Sequence, residues 1–150
     1  MTLLAAIRPD SWNFPLFLHV LGATVLVGGL LSGAATLALA HGQERYLRLG
    51  YWSLLAIALP GYVLMRIGAE WIYSKEFGDS DEDPAWVGIG FMTADIGLLL
   101  LLIALIIGGI GVYRLRRGGG PGLLKGSMAI SLVLLAAYVV AVWAMGAKPD

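Results

Sequence analysis

FLHVLGATVLVGGLLSG, residues 17–33, is almost wholly apolar apart from one imidazole near its start, His19. It lies inside a longer apolar run, 14–40, which exceeds the ~20 residues that a helix needs to cross the hydrocarbon core of a bilayer. Three further runs reach that length, at 47–73, 87–113 and 123–145. The separators behave as loops. HGQERYLR carries charges, KEFGDSDEDP is acidic with turn residues, and RLRRGGGPG joins a basic cluster to helix breakers. The expected fold is therefore all-α: one four-span domain over 1–150, a transmembrane four-helix bundle with antiparallel up-down neighbours.

Composition agrees with a bilayer as the solvent. The chain is 59% hydrophobic and 13% charged, with mean hydropathy +0.82, too apolar for a surface facing water. Ten basic and ten acidic residues cancel, and no basic arm with interleaved aromatics points to nucleic acid. The absence of Cys excludes disulfides, thiolate metal sites and Cys nucleophiles. Ala38-Leu39-Ala40 resembles a signal-peptidase site, but the preceding apolar run is too long and lacks a basic start, so the first span is expected to be retained. No internal repeat is evident.

Basic residues set the direction. Arg45, Arg48, Arg114, Arg116, Arg117 and Lys125 fall in the first and third loops, against Arg8, Lys75 and Lys148 on the opposite side. The positive-inside rule then places the 41–48 and 114–125 loops in the cytoplasm, with both termini and the acidic 75–84 loop outside. Trp12, Trp71, Tyr73, Trp86 and Trp143 fall at the outer interface, and Tyr46, Tyr51, Trp52 and Tyr113 at the inner one.

Helices associate in lipid through small residues and polar contacts. At heptad spacing the first span presents His19, Gly22, Leu26, Gly29, Gly33 and Thr36 on one face, with Gly29 and Gly33 as a GxxxG pair. Gly61 and Gly68, then Gly90, Gly97, Gly108 and Gly111, and finally Ala136 with Ala137, offer close approaches on the other spans. Pro60 interrupts the second span and frees a carbonyl, either as a packing kink or as a transport hinge.

Four ionisable residues lie within spans. At about 1.5 Å per residue, His19 is roughly 8 Å, Arg66 roughly 10 Å, Glu70 roughly 5 Å and Asp95 roughly 10 to 13 Å below the outer ends of their helices. Such groups are costly in lipid and are normally paired or face a cavity. Arg66 and Glu70 are one turn apart, and Asp95 arrives at similar depth on the next helix, so an Arg66-centred network with both carboxylates is expected. It either fixes helix pairing, lines a pocket or proton-accessible site open to the outside, or merely snorkels. His19 is either a helix-to-helix hydrogen-bonding group or a ligand to haem iron or copper. Met65, Met92 and Met145 add soft thioethers at the same level, although Met is also ordinary core filler. His41 is roughly 33 Å from His19 along the helix, which excludes bis-His haem within one chain.

The 79–83 stretch imitates the start of a calcium loop, but Pro84 stands where the glycine belongs, so it reads as a solvated acidic loop. Arg114 to Arg117 with the following glycines lacks GxxxxGK[ST] and is a topology signal that can touch anionic lipid. No catalytic triad or carboxylate dyad is present to argue for an enzyme.

LHVLGATVLVGGLL, with its early His and later Gly pair, resembles the first helix of bacterial membrane proteins grouped around the copper resistance D (CopD) family. A family of small four-helix integral membrane proteins related to it is the nearest likeness. In that grouping a Trp often precedes the Gly pair by two residues, where Leu26 stands here. Related protoporphyrinogen-converting membrane oxidases share the early His, but their further polar residues have no clear match. The resemblance implies a bacterial inner (plasma) membrane, a four-helix bundle, and haem or copper at His19. A non-enzymatic protein whose outer-leaflet polar layer holds a metal, haem, small ligand or proton is the first expectation. An accessory or assembly subunit of a larger membrane complex, or a small oligomeric transporter, are the alternatives.

Overall fold

The computed structural model describes residues 10–78 and 84–147. The acidic 79–83 stretch, Arg8 and Lys148 lie outside the described residues. A short 3-10 turn, Asp10–Trp12, leads into α1, Asn13–Leu39; α2 is Glu44–Glu76, α3 Ala85–Arg116 and α4 Gly122–Ala147. All four are long and apolar enough to span a membrane, and no strand occurs among the described residues. At about 1.5 Å per residue, even the shortest, 26 residues, outreaches a hydrocarbon core of about 30 Å. Both ends therefore project into the headgroup layers.

The turns follow from local chemistry. After α1, His41 (φ 45°) and Gly42 (φ 82°) take the left-handed conformation, and the chain re-enters a helix at Glu44. The unusual φ of His41 is accompanied by its Nδ1 bonding the Leu39 carbonyl at 2.6 Å. Gly118 (φ 80°) ends α3, donating to Leu115 at 3.1 Å while Gly119 donates to Arg114 at 2.9 Å, the paired bonds of a Schellman cap. Pro121 then blocks helix continuation before α4 begins.

α1 and α2 approach closely because glycines on each meet backbone on the other. A Cβ on Gly22 would strike the Met65 backbone, one on Gly29 the Ala58 backbone, one on Gly61 the Leu26 backbone, and one on Gly68 the His19 backbone. Gly33 and Gly50 extend the seam against Leu54 and Leu37. The pairs keep one antiparallel register along the whole seam. Its lower end runs through the buried Leu37, whereas Thr36 is only half-buried. A straight helix drifts ~20° per heptad from a strict seven-residue repeat, so the contact stripe has moved by one residue there.

Pro60 does not act alone. The five residues before it, Leu54–Ala58, form a π-helical turn, with the Leu59 N–H donating to the Leu54 carbonyl. The wide turn absorbs the missing N–H and the ring bulk of Pro60. It is held against α1, since Ser53 Oγ donates to the Gly29 carbonyl at 3.2 Å and also meets the Ser32 hydroxyl.

α3 packs on α4 differently, chiefly through α3 glycines that face side chains of α4. A Cβ on Gly97 would meet the Tyr138 hydroxyl, one on Gly108 the Tyr51 ring and the Ser127 Oγ, and one on Gly111 the Leu124 side chain. Ser127 Oγ donates to the Ala104 carbonyl at 2.8 Å, a buried cross-helix bond. The inward face of α4 is Ser127, Ser131, Leu134, Tyr138 and Ala141. Ala136 is exposed and Ala137 half-buried, so these two do not make the close approach expected of them. They sit on the flank of the stripe set by the buried residues. Tyr51 is likewise no free interfacial anchor, because its ring rests over Gly108 and Gly109.

Leucines fill one half of the bundle: Leu30, Leu54, Leu101, Leu124 and Leu134 are at most 1% exposed. That half carries the arginine-rich turns. The half containing His19 and both described chain ends is lined instead by Ala23, Ala69, Gly90, Ala94 and Ala141.

Gly22→Ala is expected to lower stability by about 1 to 3 kcal/mol through overpacking against the Met65 backbone. Gly28→Ala, where a Cβ meets nothing within 4 Å, should leave stability unchanged or raise it by up to ~1 kcal/mol through helix propensity. Reversible unfolding in mild detergent, followed by circular dichroism, compares the two; equal losses would refute the backbone-contact account of the seam.

Candidate functional site

The small residues of the His19 half leave a cavity of about 1210 Å³ between all four helices. That exceeds the ~300 to 1,000 Å³ of ordinary small-molecule pockets. Its walls are largely apolar, with Asp10 just before α1, Asn13, His19 and Thr24 from α1, Arg66 and Glu76 from α2, and the ring of Tyr138 from α4 among the polar residues that line it.

His19 owes its position to Gly68. The α2 backbone comes so near at that glycine that any side chain would collide with His19 itself. The imidazole then reaches the Met65 carbonyl, one turn back along α2, with Nδ1 to oxygen at 3.0 Å. A carbonyl can only accept, so Nδ1 carries the proton and Nε2 of the neutral ring is left as an acceptor. No partner of Nε2 is found among the described residues. His19 thus bonds across to the backbone before Arg66, and not to the guanidinium.

Arg66 lies between the cavity and the surface seam of α2 and α3. Its Nη2 is 2.7 Å from Glu70 Oε1 and its Nη1 3.2 Å from Asp95 Oδ1. The Arg66 side chain is 27% exposed, but those of Glu70 and Asp95 are 54% and 65% exposed. Both carboxylates therefore face outward from the bundle. Nη1 is buried without an aligned hydrogen bond, so its attraction to Asp95 is coulombic. The guanidinium also lies 4.9 Å from the Phe91 ring centroid, a cation–π contact.

These contacts matter because α2 and α3 have little backbone contact. Side chains bridge the seam. The Tyr62 hydroxyl donates to the Ala94 carbonyl at 3.2 Å, Tyr73 meets Phe91 edge-on at 5.2 Å, and Phe77 meets Trp86 at 6.0 Å.

Tyr138 enters from α4. It is 4% exposed, lines the cavity, and its hydroxyl has no hydrogen-bond partner. A buried, unsatisfied hydroxyl costs about 1 to 3 kcal/mol; its oxygen rests against Gly97 of α3, which does not line the cavity. Sequence reading passes over Tyr138 because a single Tyr in an apolar span has the look of core. The available signal was indirect: alanines and glycines at inward positions of all four helices, at one depth.

Among the sulfur donors, Met65 and Met145 line the cavity. Met92 is 64% exposed and does not join them. No cluster of three or more His, Asp or Glu suited to a metal ion occurs among the described residues. Comparison with protein-family models, with curated proteins and with solved structures returned no match.

A double-mutant cycle on Arg66→Met and Asp95→Asn should give a coupling of about 0.5 to 2 kcal/mol in favour of the native pair, the range of polar contacts between membrane helices. Strictly additive losses in detergent unfolding would mean that the two side chains do not hold α2 to α3.

Proposed function

We propose that this chain is a non-enzymatic, multi-pass protein of a bacterial plasma membrane that holds a small amphipathic molecule in the cavity beside His19. The observation that carries this reading is a largely apolar cavity large enough for a ligand, with the unpartnered Nε2 of His19 on its wall. Apolar walls with a few placed polar groups are the usual make-up of such sites. On the positive-inside rule, the arginine-rich turns face the cytoplasm and the cavity lies in the outer half of the bilayer. The π-turn and Pro60 are seated against α1, which favours a fixed container over a transport hinge.

A second reading is a soft metal ion. His19 donates its Nδ1–H to a backbone carbonyl, the arrangement that orients metal-ligating imidazoles. Met65 and Met145 line the same cavity, and imidazole with thioethers suits Cu(I). These residues fit copper, which would bind through Nε2 and sulfur and add electrophilic or one-electron chemistry to the pocket. Haem fits less well, since its propionates would meet an Arg66 already neutralised by two carboxylates.

Filling the cavity tests the first reading. Ala69→Phe should abolish retention of any small molecule detected by mass spectrometry of the protein purified in mild detergent, while leaving the helical content intact. If the wild-type protein carries and binds nothing, the container reading fails. Stoichiometric copper by metal analysis, lost in His19→Ala and in Met65→Leu, would establish the second.

A further inference from the structure

We propose that the ligand is a neutral lipid with a hydroxyl-bearing head group, admitted sideways from the bilayer between α1 and α4; this rests on the container reading above. Charge supplies the first argument. Arg66 is the one charged side chain in the deep part of the cavity, and Glu70 and Asp95 already neutralise it from its far side. An anionic head gains little there, and a cationic one meets the guanidinium. Asp10 and Glu76 at the rim further disfavour an anion.

Hydrogen bonding supplies the second. At the depth of Arg66 the wall presents the unpartnered acceptor His19 Nε2; the Tyr138 hydroxyl is turned away from the cavity onto Gly97. A hydroxyl donates to Nε2. A ketone, an ester or a hydrocarbon leaves it without a partner.

The route supplies the third. The α2–α3 side is bridged by Tyr62, the Arg66–Asp95 pair and the Tyr73–Phe91 and Phe77–Trp86 contacts. On the opposite side Val20 and Val142 line the cavity and are also 54% and 57% exposed. Val20 lies roughly 10 Å along α1 from its start, within the hydrocarbon layer. Entry past these two valines at that depth would exclude polar solutes and admit molecules already dissolved in the bilayer. Quinols, polyprenols and diacylglycerols share the required chemistry.

The test uses the full chain in nanodiscs, with binding read from quenching or enhancement of tryptophan fluorescence. The probes are decylubiquinol, a short-chain polyprenol and dioleoylglycerol, against oleate as the anionic and a long-chain amine as the cationic comparison. The neutral hydroxyl lipids should bind at least tenfold more tightly than either ionic probe, and the tightest of the three identifies the source. His19→Phe should weaken their binding by about tenfold, the worth of one hydrogen bond, while leaving the binding of their O-methyl ethers, which have no proton to donate, unaltered. Val20→Trp with Val142→Trp should slow association at least tenfold. Equal binding of oleate or the amine, or unaltered affinity in His19→Phe, overturns the head-group assignment while leaving the container reading standing. Unaltered association in the double Trp variant overturns the lateral route. Failure of every probe to bind, with the wild type indistinguishable from Ala69→Phe, overturns the container reading itself.

Discussion

The seam between α1 and α2 is the constraint on which the rest of the structure depends. Lipid removes the hydrophobic drive that would press two helices together in water, so the pair relies on dispersion at very short range. That range is reached only where a glycine faces backbone. At Gly22, Gly29, Gly61 and Gly68 the opposite chain occupies the space a Cβ would need. Because glycines come from both helices in alternation, neither helix can slide by a turn without driving side chains into backbone. The register is thereby specified by steric exclusion as well as by attraction.

That register explains the placement of the polar groups. His19 can reach the Met65 carbonyl only because Gly68 lets its own backbone touch α2. Arg66 follows Met65 directly, so the residue that receives the imidazole also fixes the turn from which the guanidinium extends toward α3. The α2–α3 seam, lacking glycine-to-backbone contacts, is then closed by long side chains: an ion pair, a Tyr hydroxyl and edge-on aromatic rings. One pair of helices is held by absence of side chains and the other by their reach.

Much of this is legible in the sequence. Four apolar runs separated by charged turns give the spans, because length and hydropathy are nearly sufficient in a bilayer. The glycine stripe of α1 is readable as far as Gly33, after which helical drift hands the seam to Leu37. Arg66 and Glu70 are neighbours by spacing, and Asp95 by depth. Spacing and depth do not say, however, that both carboxylates turn outward, since that depends on the rotation of α2 against α3. Nor did Ala136 and Ala137 reveal the inward face of α4, because in an all-apolar helix a hydrophobic period cannot mark the buried side. The buried Ser127 and Ser131 were the better indicators, as hydroxyls able to bond carbonyls.

The contrast between the two halves of the bundle is a difference of residue volume at equivalent positions. Leucines from all four helices meet in the arginine-rich half and leave it solid. Alanines and glycines from all four helices are among the residues lining the other half, where a cavity is left. A chain selected only for stability would fill that space, since lost contacts around a void cost free energy in proportion to its size. It would also not bury a tyrosine hydroxyl without an acceptor when phenylalanine packs as well. The orphan Tyr138 hydroxyl is sealed beside the cavity on Gly97 of α3, and an imidazole held in a single tautomer with its second nitrogen free stands on the cavity wall itself. On the proposed function, an occupant of the cavity accounts for both the void and the free nitrogen.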